Sequence, residues 1–152
     1  MEHRESHPIL VIRAAGHTCA LALADVVEVM RPLPAKSVAG APAAVLGLSI
    51  IRGQPVPVID LGSLLGSPSA SPFMRFVTIR LGERRAALGV DAVLGIRELG
   101  PEVLADLPPL LREAQGELVE GIGTLDSELL LVLRAARLAP DEIWTELSGQ
   151  ET

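Results

Sequence analysis

The feature that most constrains the fold of this 152-residue chain is a pattern of short apolar segments, divided by glycine and proline, that occurs twice. In one such segment Val77 and Ile79 alternate with Thr78 and Arg80, which is typical of a half-buried strand. Few windows carry apolar residues at helical spacing. Many short strands joined by tight turns predict small barrels or a sandwich rather than a helical bundle.

The second occurrence of the pattern matches the first at two offsets. Ile79 follows Ile12 by 67 positions, and each lies in a strand-like segment that ends at a glycine-bearing turn. Gly121 follows Gly47 by 74 positions, and each begins a predicted hairpin. The second half is therefore about seven residues longer, and the extra residues fall in the Pro- and Leu-rich stretch 99–117. We interpret the pattern as an internal duplication with about five strands in each half.

The predicted fold is mainly β, with two packed five-stranded barrels related by pseudo-symmetry and a short C-terminal helix. A small, polar, proline-bearing segment separates the halves and predicts a linker. Pro140, Asp141 and Glu142 suit the first turn of the terminal helix. Within a single domain over 1–152, the predicted boundaries are 8–66 for the first barrel, 67–72 for the linker, 73–138 for the second barrel and 139–152 for the helix and tail.

Two prolines restrict the position of one predicted strand. Pro55 and Pro57 each lack the backbone N–H that a strand donates to its neighbour. This strand is therefore expected at a sheet edge, or with its proline positions turned away from a partner strand.

Composition excludes several classes of partner. The net charge is −6 and aromatic residues make up 2% of the chain, so neither a basic surface nor stacking platforms for nucleic acid are expected. The longest uncharged run, 37–51, is too short to span a membrane and contains Pro42. The first ten residues lack the features of a signal peptide, and Cys19 is the only cysteine. We expect a cytoplasmic protein with no direct membrane insertion and no nucleic-acid partner.

Residues that carry catalytic or metal chemistry are sparse. His3 and His7 lie in the N-terminal tail, and His17 lies in a predicted hairpin. The only lysine, Lys36, belongs to no phosphate-binding loop, and no nucleophile elbow is present. Cys19 alternates with core positions, which favours an inert buried thiol. We expect no enzyme, no catalytic residue, no cofactor and no metal site.

The segment GLSIIRGQPVPVIDL, residues 47–61, resembles the signature of the CheW-like family of bacterial chemosensory adaptors. That signature is a glycine, a short strand, Asn-Leu-Arg-Gly and then Pro-Val-Ile-Asp-Leu. Residues 22–29, 90–96 and 121–125 resemble further family segments in the same order, so the resemblance covers about 8–138. It implies two SH3-like barrels without catalytic activity or cofactor.

The resemblance also implies partners. A CheW-like adaptor would bridge the cytoplasmic tip of a chemoreceptor and the regulatory domain of a CheA-type histidine kinase, at cytoplasmic or membrane-associated receptor arrays. Receptor helices would lie in the groove between the barrels. Exposed strand edges accept further strands or domains, so self-association or ring assembly is also expected.

Five residues are expected at the partner-binding surface: Val26, Glu28, Gly47, Ile50 and Arg52. Glu28 and Arg52 match two charges of the family, and we expect them to pair across neighbouring strands of the first barrel; the other interpretation is two ordinary surface charges. Gly47 either leaves room for a receptor helix or is a plain turn glycine. Val26 either lines the groove or packs in the core.

Two departures from the family pattern leave a second function open. Ile50 replaces the asparagine of the family signature, and Pro55 is an additional proline in the strand that follows. Both lie where the resemblance places the kinase contact. The second reading is an accessory protein that binds receptors but couples weakly or not at all to the kinase. A third is a double barrel that binds a small ligand, although few polar groups could line its pocket.

Overall fold

The computed structural model describes residues 7–67, 72–99 and 118–139. These residues form ten strands, one α-helical turn, α1 (Leu61–Leu64), and two 3₁₀ turns, Leu23–Asp25 and Ala135–Arg137. The strands are β1 (His7–Ala14), β2 (His17–Ala22), β3 (Val26–Met30), β4 (Val45–Ile51), β5 (Gln54–Asp60), β6 (Arg75–Leu81), β7 (Arg84–Val90), β8 (Ala92–Leu99), β9 (Val119–Leu125) and β10 (Glu128–Leu133). The prediction of a mainly β fold is confirmed.

The strands form two five-stranded sheets with the same topology. Sheet I has the order β8-β1-β2-β10-β9, and sheet II has the order β3-β6-β7-β5-β4. Each strand of one sheet corresponds to the strand five places earlier or later in the chain. In the order of sheet I, β8, β1, β2, β10 and β9 correspond to β3, β6, β7, β5 and β4. Register agrees as well, because Val58 pairs with Ala87 in sheet II as Val132 pairs with Ala20 in sheet I. These pairs differ by the offsets of 74 and 67 found in the sequence, so the duplication is present in the fold.

Each sheet takes strands from both halves of the sequence, so neither sheet coincides with the predicted segments 8–66 and 73–138. Strands β1 and β2 pair with β8 and β10, whereas β3 and β5 pair with β6 and β7. The chain crosses between sheets after β2 and again after β7. Alternation of apolar residues defines the faces of a strand but leaves its partner open, so the exchange was not predictable from periodicity. Residues 68–71 of the expected linker, 100–117 and 140–152 of the expected terminal helix lie outside the described residues.

Apolar side chains form three layers. The central cluster combines both sheets: Leu10, Ile12, Cys19 and Leu21 from sheet I, with Ile59, Val77, Ile79 and Leu88 from sheet II. A second cluster lies within sheet I and includes Ile9, Val11 and Val132, and a third lies within sheet II and includes Val56, Val58 and Phe76. Burial raises the pKa of the Cys19 thiol to about 12, which agrees with the expected inert cysteine.

The prolines of β5 do not place it at an edge, because β5 lies between β4 and β7. Ile51 and Gln54 close the two-residue turn between β4 and β5, and hydrogen-bonded and non-bonded pairs then alternate along the ladder. This alternation puts Pro55 and Pro57 at non-bonded positions toward β4. Pairing with β7 begins only at Val58. Neither proline therefore removes a ladder bond. This agrees with the second alternative of the prediction, in which the proline positions are turned away from a partner strand.

Candidate functional site

The turn between β4 and β5 presents Arg52 at a sheet edge. Arg52 and Gly53 have φ values of 53° and 78°, the left-handed pair of a type I′ turn. A residue other than glycine adopts this conformation at a cost of about 1–2 kcal/mol. The turn nevertheless carries an arginine, and its guanidinium meets a carboxylate of another strand.

That carboxylate belongs to Glu28, and the two side chains form a bidentate ion pair. Arg52 Nη2 donates to Glu28 Oε1 at 2.7 Å, and Arg52 Nε donates to Oε2 at 3.1 Å. Glu28 lies on β3 and Arg52 directly follows β4, so the pair connects the two outermost strands of sheet II. The expected pairing across neighbouring strands is therefore not what the structure has. The two strands are the opposite edges of one sheet.

The anion of the pair is anchored and the cation faces outward. The Glu28 side chain is 25% exposed and that of Arg52 is 72% exposed. The backbone N–H of Glu28 donates to Oγ1 of buried Thr78 at 3.1 Å, and this hydroxyl lies 3.3 Å from the Glu28 carbonyl oxygen, to which it donates. The hydrogen bonds of the pair lower the pKa of Glu28 and raise that of Arg52. The edge thus presents an oriented, permanently charged guanidinium.

The Glu28 carboxylate gives a defined pH dependence. Because its pKa is lower in the folded state, its contribution to stability is fully present above the unfolded pKa and is lost as pH falls through the folded pKa. We expect the stability difference between wild type and Glu28→Gln to be largest near neutral pH and to shrink below about pH 4.5. Urea unfolding of both proteins at pH 7 and at pH 3 measures it. An equal difference at both pH values contradicts the ion pair's role.

Sheet I carries the equivalent pair with its charges reversed. Asp126 follows Arg52 by 74 positions, occupies the same turn position with φ of 52°, and accepts a hydrogen bond from Arg97 Nη2 at 3.0 Å. Arg97 lies on β8, the edge strand of sheet I that corresponds to β3. The sequence analysis missed this pair, although the 74-residue offset aligns the two turn residues. The exposed residue at this turn position is therefore a cation, Arg52, in sheet II and an anion, Asp126, in sheet I.

Gly47 is required by a contact within the chain. Lys36 and Leu48 exchange two backbone hydrogen bonds of 2.8 and 2.9 Å. A Cβ atom on Gly47 would lie 2.5 Å from the Lys36 carbonyl carbon and 2.9 Å from the Ser37 nitrogen, and its φ is +147°. The backbone that approaches this glycine closely is therefore that of the protein itself.

The other two candidates differ in accessibility. Ile50 is 64% exposed, lies on edge strand β4 and faces Pro55 across the ladder. Val26 is half-buried, pairs with Ile79 and packs against the central cluster. Ile50 and Arg52 therefore lie on the β4 edge of sheet II, and the ion pair joins this edge to Glu28 on β3. Val26 and Gly47 are less accessible.

Asp60 has the structural role that the family match favours. Its carboxylate accepts hydrogen bonds from the backbone nitrogen and the hydroxyl of Ser63, at 3.4 and 3.0 Å. It thereby caps the first turn of α1 and stabilises the connection that follows β5.

Residues 7–67, 72–99 and 118–139 contain neither a metal-binding cluster nor a membrane-spanning helix. Within these ranges, no group of three or more His, Cys, Asp or Glu residues could hold a metal ion. No helix there combines the length and apolar character needed to cross a membrane.

Comparison with known proteins identifies the family of this chain. A CheW-like domain matches residues 8–142. The probable chemotaxis protein CheW of Rhizobium etli is 27% identical over 132 residues, 86% of this chain and 85% of the relative. The chemotaxis protein CheW of Rhizobium meliloti is 24% identical over 136 residues, 88% of each chain.

A solved structure supports the fold. The crystal structure of the scaffolding protein TtCheW from Thermoanaerobacter tengcongensis superposes with a TM-score of 0.76 at 24% identity. The match covers 86% of this chain and 90% of the other. Since the family match spans most of the chain, this protein belongs to the CheW-like family of chemotaxis scaffold proteins, which are adaptors and not enzymes.

Proposed function

We propose that this protein bridges the cytoplasmic tip of a chemoreceptor and the regulatory domain of a CheA-type histidine kinase. The observation that carries the proposal is the CheW-like domain over residues 8–142, with all ten strands of its two sheets in place. A scaffold of this kind acts by holding two partners at once, for which it needs accessible surfaces and no catalytic group.

The edge of sheet II that carries Arg52 is the surface we assign to the kinase. Strand β4 is the outermost strand there, so its outer backbone groups are available to a partner outside the bridge to Lys36. Ile50 adds an exposed apolar side chain, and Arg52 adds a charge held in place by Glu28. The receptor contact is assigned to the groove between the sheets, beside Val26.

The register of β5 favours bridging over the accessory reading. Pro55 is one of the two departures from the family pattern that favour weakened kinase coupling, because a proline can disrupt its strand. It lies opposite Ile50 at a non-bonded ladder position, so the β4–β5 hairpin keeps its pairing. Ile50 alone remains as a departure on this surface, and it replaces an amide by an apolar group that association would bury.

Reversal of Arg52 tests the assigned surface. We expect Arg52→Glu to weaken kinase binding by about tenfold or more, because two acidic groups would then repel at the edge. The exchanged pair, Glu28→Arg with Arg52→Glu, should recover much of the affinity if the pair acts by holding the edge in shape. Calorimetric titration against a receptor signalling-tip fragment and against the kinase regulatory domain gives both affinities.

The matched control is Arg97→Glu, which breaks the equivalent pair of sheet I. We expect this variant to bind the kinase domain within about twofold of wild type. Unchanged affinity of Arg52→Glu for both partners contradicts the assigned surface. Wild-type binding to the receptor fragment alone identifies the accessory protein instead.

A further inference from the structure

A cleft of about 630 Å³ lies where the end of β6 meets the segment after β10. Three arginines line it: Arg80 from sheet II, with Arg134 and Arg137 from beyond sheet I. Asp25 and Glu120 also reach its wall. We call this site the arginine cleft. Its charged residues are far apart in sequence, and the fold brings them together.

In the part of the chain that the structure describes, no carboxylate oxygen lies within 4 Å of the three guanidiniums, and the ion pairs found there involve other arginines. Arg80 Nη1 donates to the Ala24 carbonyl oxygen at 3.1 Å and keeps its other donors. All three arginines are exposed. Three arginines against Asp25 and Glu120 leave the cleft lining with an excess of positive charge, in a chain whose net charge is −6.

The internal duplication shows that the fold does not require this opening. In the other half, Gly62 packs so tightly on the β1–β2 turn that a Cβ atom on it would lie 2.8 Å from the Ala15 Cβ. The equivalent of Ala15 is Gly82, around which a Cβ atom would find nothing within 4 Å. The equivalent of Asp60, which caps α1, is Arg134. An α-helical turn thus closes one copy of the site, whereas among the described residues the other copy is open and lined by three arginines.

We propose that the arginine cleft binds an acidic segment of a partner protein, with carboxylates of that segment paired to Arg80, Arg134 and Arg137. Guanidinium groups bind carboxylates through two parallel hydrogen bonds. Asp25 and Glu120 would repel a compact, highly charged phosphate group but can accept hydrogen bonds from the N–H groups of a peptide. The mixed lining therefore favours a peptide. This contact is separate from the Glu28–Arg52 ion pair and from Ile50.

Binding of an octaglutamate peptide to the full-length protein tests the proposal, with inorganic phosphate as a second probe. We expect Arg134→Glu combined with Arg137→Glu to weaken peptide binding by at least about tenfold, and Arg137→Ala alone to weaken it by a smaller factor. Glu120→Gln should strengthen binding by about two- to threefold, because it removes a repulsive charge. Isothermal calorimetry at low and moderate salt measures these affinities, and unfolding curves verify that each variant is folded.

The matched control is Arg31→Glu combined with Arg75→Glu, which changes the net charge equally at exposed arginines outside the cleft. A loss of less than about twofold in this control supports a specific site. Equal loss in the control and cleft variants would show attraction by net charge alone and overturn the proposal. Failure of the wild-type protein to bind the peptide, or tighter binding of phosphate at the same arginines, would also overturn it.

Discussion

Replacing Gly47 with alanine is expected to lower the free energy of unfolding by roughly 2–5 kcal/mol, from backbone strain and overpacking together. At φ of +147° an L-residue is strained, and the new Cβ atom would meet the backbone at Lys36 rather than a flexible side chain. The chain would have to separate Lys36 from Leu48, which exchange two hydrogen bonds. Urea unfolding of the purified variant measures the loss.

Gly95 supplies the control for the Gly47 prediction. Its φ is +127°, but a Cβ atom on it would find nothing within 4 Å. We expect Gly95→Ala to cost roughly 1–2 kcal/mol, from backbone strain alone. Equal losses at the two glycines would contradict the part played by Lys36. If Gly47→Ala keeps its stability and loses receptor binding, the glycine instead leaves room for a receptor helix.

Truncation of Leu88 to alanine is expected to cost roughly 2–5 kcal/mol, because the side chain is fully buried and leaves a cavity. Leu88 lies in the central cluster, which contains side chains from both sheets. Loss of packing there weakens the two sheets together. Thermal and urea unfolding should therefore show one transition, shifted for the whole protein.

Leu129 provides the same substitution at a surface position. Its side chain is 55% exposed on β10, so Leu129→Ala is expected to change stability by no more than about 0.5 kcal/mol. A comparable loss at Leu88 and Leu129 would contradict the layered core. Two separate transitions in Leu88→Ala would contradict the shared cluster as the element that joins the sheets.

Local sequence patterns predicted the strands well. The alternation of Val77 and Ile79 with Thr78 and Arg80 gave β6, and the offsets of 67 and 74 predicted the repeat that now relates the two sheets. These features depend on residues close together in sequence, where side-chain direction alternates with a period of two.

Strand partners could not be obtained in the same way. The parallel pairings of β2 with β10 and of β5 with β7 join segments that are distant in sequence. Each of these four strands buries residues on both faces, so its apolar pattern does not single out one neighbour. Contiguous halves were therefore the simplest prediction, and the exchange of strands became visible only in three dimensions.

The site shows the same division between local and distant information. The family resemblance led to Glu28 and Arg52 as a pair, and the structure brings them within 2.7 Å. The contact of Gly47 with Lys36 depends on how a connecting segment folds back on β4, for which the sequence has no local signal. The arginine cleft was missed because its residues come from four separate places in the chain.

The most direct test of the proposed function is whether this protein holds both partners at once. A receptor signalling-tip assembly and the kinase regulatory domain should be sedimented together, with and without the protein. Bridging predicts that the regulatory domain co-sediments with the receptor only when the protein is added, and less strongly with Arg52→Glu than with Arg97→Glu. Sedimentation of the protein with the receptor while the regulatory domain stays in the supernatant would contradict it.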